Sequence, residues 1–186
     1  MTSITKAPAA VLRIPAKPIK IVDKKIRSII ADMDKTLITQ KDPEGVGLAA
    51  PQIGLPLQIF LILPRTGSTK SAGTQVFINP QITHLSKDTI SPNGKDALLE
   101  GCLSIPNYYA HVRRSKSITL KYLTLQDPKN LEGEPVEITR TFSGFPAQII
   151  QHEFDHLNGV LFIDRVLEQN GKLYEIQGEN WKEVNL

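Results

Sequence analysis

The chain has one cysteine among its 186 residues, which excludes an internal disulfide and fits a reducing compartment. It also lacks any apolar run near the length of roughly 20 residues that a membrane-spanning helix needs, so no membrane association is expected. The opening "MTSITKAPAAVLRIPAKPIK" has no continuous apolar segment of the kind that marks a signal peptide. Three prolines by Pro18 speak against an organellar transit peptide. No internal repeat is visible, and no βαβ rhythm. What remains is ordinary for a globular protein: 40% apolar, 22% charged and a formal net charge of +3. This length suits one domain, 1–186, with 1–10 and 178–186 loosely ordered. The basic excess sits early, where Lys6, Arg13, Lys17, Lys20, Lys24, Lys25 and Arg27 face only Asp23. A solvated surface is expected there in preference to a polyanion site, and no DNA partner is expected.

Apolar residues at 26, 29, 30, 33 and 37 form a helical stripe behind Asp23, a plausible N-cap, and Asp42-Pro43 ends it. "LQIFLIL" (57–63) and "QVFINP" (75–80) read as strands on either side of a flexible "PRTGSTKSAG". "SITLKYLTL" (117–125) and "EPVEITRTF" (134–142) alternate around a turn-rich segment and predict a hairpin. A second helix is expected from about Ser143, with Pro146 in its first turn, to Asn158-Gly159. "VLFIDRVL" and "KLYEIQ" read as short extended segments. The fold class is α+β: a strand-rich body of mixed or antiparallel sheets around a central helix, plus an N-terminal helix.

That central helix carries "HEFDH", 152–156. Residues four apart lie about 40° apart around a helix axis, so His152 and His156 share a face and can reach one ion. Glu153 beside them is placed to hold a water without being a ligand. Ala147, Ile150, Phe154 and Leu157 form the opposing apolar face. Two histidines alone do not hold a catalytic metal. In one large group of zinc proteases a third lies six residues on, where this chain has Phe162. The remaining donors are His84 and His111 in plain polar stretches, Glu175 in a strand-like segment, and Cys102 in "EGCLSIP". A thiolate is a strong ligand for a borderline-soft divalent ion, although a lone cysteine is more often inert core.

"EGVGLAAPQIG" (44–54) contains the loose form of a dinucleotide-binding fingerprint in the wrong context. It follows a helix, Pro51 interrupts it, and Lys70 stands where a ribose-binding acid would fall. Its small residues instead let a peptide backbone approach closely, with Gln52 supplying an amide donor.

Three segments, "GVGLAAPQ" at 45–52, "EGCLS" at 100–104 and "QHEFDHLNG" at 151–159, resemble in order and separation the signature motifs of peptide deformylases. "VLRIPAKPI" and "DMDKTL" also resemble that family's N-terminal segments, and the likeness runs from about Val11 to Val166. The resemblance implies removal of formate from N-formylmethionine on newly made proteins. It implies Cys102, His152 and His156 as metal ligands, a metal-bound water as nucleophile, and Glu153 as general acid and base. Gln52 and the Leu103 backbone N–H would bind the oxyanion. Val46, Gly47 and Gly101 would hold the peptide as an added strand, with Val46, Phe145 and Ile149 around the methionine. It further implies a structural Glu100–Arg114 pair, and one Fe2+ per chain that Ni2+, Co2+ or Zn2+ can replace. The implied partners are the nascent formyl-Met polypeptide and, transiently, the ribosome, and the implied place is the cytoplasm rather than an organellar matrix. Two positions depart from the bacterial pattern: Tyr109 replaces a common arginine, and the acidic tail 168–186 does not read as the basic helix with which some members dock on the ribosome.

Overall fold

A computed structural model describes residues 2–41, 44–63, 73–91, 98–125, 133–178 and 180–184. The expected loop 64–73 and the hairpin connection at 126–132 fall largely outside them, as does Asp42-Pro43. In chain order the elements are α1 (Lys24–Thr39), β1 (Gly47–Ala49), β2 (Ile59–Ile62), β3 (Gln75–Leu85), β4 (Thr89–Ile90), β5 (Leu99–Cys102) and β6 (Ile105–His111). They continue with β7 (Arg114–Ser115), β8 (Ser117–Thr124), β9 (Val136–Ser143), α2 (Phe145–Leu157), α3 (Phe162–Glu168), β10 (Leu173–Gln177) and β11 (Asn180–Val184). The expected α+β body is present. Strands of one sheet run in the order β1-β2-β3-β8-β9, and those of a second in the order β11-β10-β6-β5. Every pairing between these named strands is antiparallel.

Local chemistry explains the helices. The Asp23 carboxylate accepts the Ile26 N–H at 2.9 Å, satisfying one of the free donors at the start of α1. Ile30, Met33 and Leu37 of its stripe are fully buried. α1 covers one face of the five-stranded sheet, packing with Ile59, Leu61, Val76 and Ile78. α2 covers the other through Ala147, Ile149, Ile150 and Leu157, against Phe60, Ile62, Phe77, Ile118 and Leu120. Phe154, expected on that apolar face, is only half buried. Covering both faces explains why β2 reads as an unbroken apolar run rather than an alternating one. Phe77 lies at the centre, stacked between Phe60 at 4.5 Å and Tyr122 at 4.3 Å.

One expectation is corrected. "VLFIDRVL" is not extended: from Phe162 on it belongs to helix α3, Phe162–Glu168. Phe162 and Val166, four apart, bury one stripe against Cys102, Ala110 and Leu173 of the second sheet and Val112 just beyond it, and the Asp164 carboxylate accepts the Leu161 N–H at 2.7 Å. Seven residues are too few for helical periodicity to stand out from a strand. Thr5 N–H donates to the Gln52 carbonyl at 2.7 Å, and Ala7 N–H to the Ser104 carbonyl at 3.0 Å. Residues 180–184 pair along β10.

Phe77→Ala removes the ring on which the aromatic stack centres. It is expected to lower stability by about 3–5 kcal/mol, seen as a lower urea midpoint with an unchanged denaturant slope.

Candidate metal centre

β5 and α2 bring the predicted ligands together. Ligand atoms of Cys102, His152 and His156 all lie within 4.8 Å of one another, and all three residues are buried. Cys102 Sγ stands 3.2 Å from His156 Nε2. The two imidazoles meet edge to face at 5.1 Å. The other donors considered lie outside this group: His84 is exposed on β3, His111 is on β6, and Glu175 on β10 accepts from the Tyr108 hydroxyl at 3.1 Å.

The surroundings decide which atoms face the centre. His152 Nδ1 is 3.0 Å from Glu100 Oε2, which leaves Nε2 for an ion. Glu100 is held by both arms of Arg114, at 2.8 Å from Nε and 2.9 Å from Nη2. Burial alone would raise the Glu100 pKa, but the adjoining guanidinium and the hydrogen bonds from Arg114 and His152 bring it down to about 2. Burial likewise pushes the Cys102 thiol up, and the neighbouring histidines overcome it, holding the pKa well below its usual range. His152 moves the other way: burial would lower it, yet the bonds to Cys102 and Glu100 raise it well above the ordinary histidine value. A buried thiolate beside two imidazoles, one oriented by a carboxylate, is a donor set suited to a divalent transition metal. The residues fit such an ion.

Glu153 differs from Glu100. Burial lifts its pKa to about 7, only partly opposed by His152 and His156, and its Oε2 is buried with no hydrogen-bond partner among the described residues. Its carboxylate packs on the backbone of β1, where a Cβ on Gly47 would stand 2.3 Å from Oε1. The Gln52 amide is oriented by a local bond. Ala49 N–H donates to Oε1 at 2.8 Å, and this turns Nε2 towards Cys102 Sγ and Ser104 Oγ, each at 3.4 Å. Lys6 Nζ donates to the Leu103 carbonyl at 2.6 Å and braces the turn after Cys102.

A cleft of about 220 Å³ opens beside this centre. Of the residues expected around substrate, it includes Val46, Gly47, Gln52, Gly101, Leu103, Phe145 and Ile149, together with Glu100, Cys102, His152 and Glu153. Arg114 lies behind it. Tyr109, which stands where bacterial relatives often carry an arginine near the substrate, also lines it. Sequence reasoning missed Gln148, whose Nε2 donates to Glu100 Oε1 at 3.3 Å. It also missed Asp155. This carboxylate accepts from Arg114 Nη1 at 2.6 Å, and from Arg165 Nε at 3.0 Å and Nη2 at 2.6 Å. The signal was available, since an acid between two ligands on a buried helix needs a cation.

Arg114→Met strands the Glu100 and Asp155 carboxylates in the interior. A loss of about 3–5 kcal/mol is expected by urea unfolding. Because Arg114 depresses the Glu100 pKa, the pair stabilises fully above pH 4.5 and less as pH falls towards about 2. The wild-type advantage over Arg114→Met should therefore shrink across that window.

The profile of the polypeptide deformylase family matches residues 1–172. A peptide deformylase of Rhodopirellula baltica is 36% identical over 176 residues, covering 95% of this chain and 77% of that protein. One from Mesorhizobium japonicum is 42% identical over 159 residues, covering 86% of this chain and 80% of its own. The crystal structure of peptide deformylase from Thermotoga maritima superposes with a TM-score of 0.71 at 37% identity, over 89% of this chain and 97% of that one.

Proposed function

The chain belongs to the polypeptide deformylase family, and on that premise we propose that Cys102, His152 and His156 hold its metal while Glu153, Gln52 and Leu103 serve the reaction. As a peptide deformylase it is a metal-dependent hydrolase that removes the N-formyl group from newly made proteins and releases formate. The observation that carries the assignment of residues is the convergence of three buried donor side chains beside a carboxylate with an unpartnered oxygen, with Cys102, His152 and Glu153 lining one cleft.

The ion is proposed to be one Fe2+ per chain, with Ni2+, Co2+ or Zn2+ able to replace it. When bound, such an ion supplies a Lewis acid that makes water acidic enough to be a nucleophile near neutral pH. Glu153, with its pKa near 7, is matched to accept a proton from the attacking water and return it to the departing amine. The Gln52 amide, held by Ala49 N–H, and the Leu103 N–H donate to the oxygen on which charge develops. Backbone groups of Val46, Gly47 and Gly101 hold the peptide as an added strand on the β5 edge, and Val46, Phe145 and Ile149 enclose the methionine.

A cytoplasmic site of action and a transient ribosome contact belong to the same proposal. No helix among the described residues is long and apolar enough to cross a membrane. The described part of the tail forms the β10–β11 hairpin in place of a basic helix, so another surface would serve the contact.

Formate release from formyl-Met-Ala, assayed anaerobically with Fe2+ or in Ni2+, tests the assignment. Glu153→Gln should keep its metal and lose at least roughly a hundredfold in kcat. Cys102→Ala should lose stoichiometric metal, whereas Glu175→Ala should keep both metal and activity. The reverse outcome for the last pair would point to a protease-like site instead. Exhaustive chelation should abolish turnover, and added Ni2+ should restore it.

A further inference from the structure

The C-terminal hairpin takes no part in this chemistry, yet it extends the sheet whose β5 edge borders the cleft. Gly101 on β5 pairs with Tyr109 on β6, and Tyr109 with Tyr174 on β10. Trp181 on β11 lies two residues from Glu183, the direct partner of Tyr174, so all four positions share one face of the sheet. The indole reaches past β10. Its ring centroid is 5.6 Å from that of Tyr109 and 6.4 Å from that of Tyr174. At the other end of the strip the Tyr109 ring lies directly on β5, where a Cβ on Gly101 would stand 2.6 Å from its Cε1. Gly101, Tyr109 and Leu99 all line the cleft. An aromatic surface therefore runs unbroken from the wall of the cleft to the last strand. It is not fully covered: Trp181 is 50% exposed and Leu99 40%.

We propose that the Tyr109–Tyr174–Trp181 strip is a platform for an aromatic or large apolar side chain in the substrate residues that follow the methionine, with Trp181 as a specificity-determining residue. This rests on the reading of the cleft as the formyl-peptide site. A peptide laid as a strand along Gly101 alternates its side chains between the two faces of the sheet. One of its second and third residues must then present its side chain on the face held by Tyr109 and Trp181. Tyrosine and tryptophan give large rigid contact area, and an added aromatic contact is worth about two- to tenfold in binding.

The test compares formyl-Met-Ala, formyl-Met-Ala-Ala, formyl-Met-Phe-Ala and formyl-Met-Ala-Phe on the metal-loaded enzyme. One phenylalanine tripeptide should exceed formyl-Met-Ala-Ala by about two- to tenfold in kcat/KM, chiefly through KM. Trp181→Ala should erase that gain while leaving formyl-Met-Ala unchanged, and Trp181→Phe should retain part of it. Trp181 is the only tryptophan of the chain, so wild-type emission reports the platform without any variant. The matching deformylated product should shift the emission, and Met-Ala should not. The platform is refuted by an absent aromatic gain at both positions, by a gain that survives Trp181→Ala, or by emission indifferent to both aromatic products. Absence of formate release from every substrate would count against the proposed function, and the emission titration would still decide the platform.

Discussion

Placing Glu100 behind His152 removes a carboxylate from water, and the rest of the site depends on how that charge is compensated. Arg114 grips Glu100 with two nitrogens and spends its third on Asp155, which Arg165 then holds from the other side. The four side chains belong to β5, β7, α2 and α3, so one network, buried except at Arg165, ties the four-stranded sheet and the short β4–β7 pair to both C-terminal helices. Removing any single member leaves an uncompensated charge in the interior. The same network orients the His152 imidazole, and thus the geometry of the metal centre and the docking of α3 rest on one set of ion pairs.

Two glutamates in one cleft come to opposite protonation behaviour through their neighbours alone. Glu100 faces a guanidinium and stays ionised; Glu153 has histidines on one side and the Gly47 backbone on the other, and burial dominates. One is a fixed charge that orients a ligand, and the other is a group whose proton can move near neutral pH. This separation needs Gly47, because any side chain there would occupy the space of the Glu153 carboxylate.

Much of this was legible in the residues. α1 announced itself through its cap and stripe, β8 and β9 through alternation, and α2 through Pro146 and the histidine spacing, because each signal is local and repeated along the segment. The third proposed ligand was not local. On residue chemistry alone Cys102 competed with His84, His111 and Glu175, and the three motifs taken together singled it out. α3 was misread because seven residues carry less than two full periods of burial. Asp155, Arg165 and Trp181 stayed unnoticed for a different reason. Their roles come from contacts across sheets and between helices, which leave no spacing rule in the chain.

The centre draws on residues that are far apart in the order of synthesis. Cys102 precedes His152 by fifty positions, and Gln52 precedes Cys102 by another fifty. Lys6, which braces the Leu103 turn, is made before any of them. During translation, then, no emerging fragment short of His156 holds more than two of the three proposed ligands. The ribosome must deliver nearly all of α2 before a metal ion has a complete seat, and α3 with the last hairpin closes the second sheet only afterwards. An unfinished copy of this chain therefore lacks the full set of proposed ligands, and only copies completed before it can serve the chains being made alongside it.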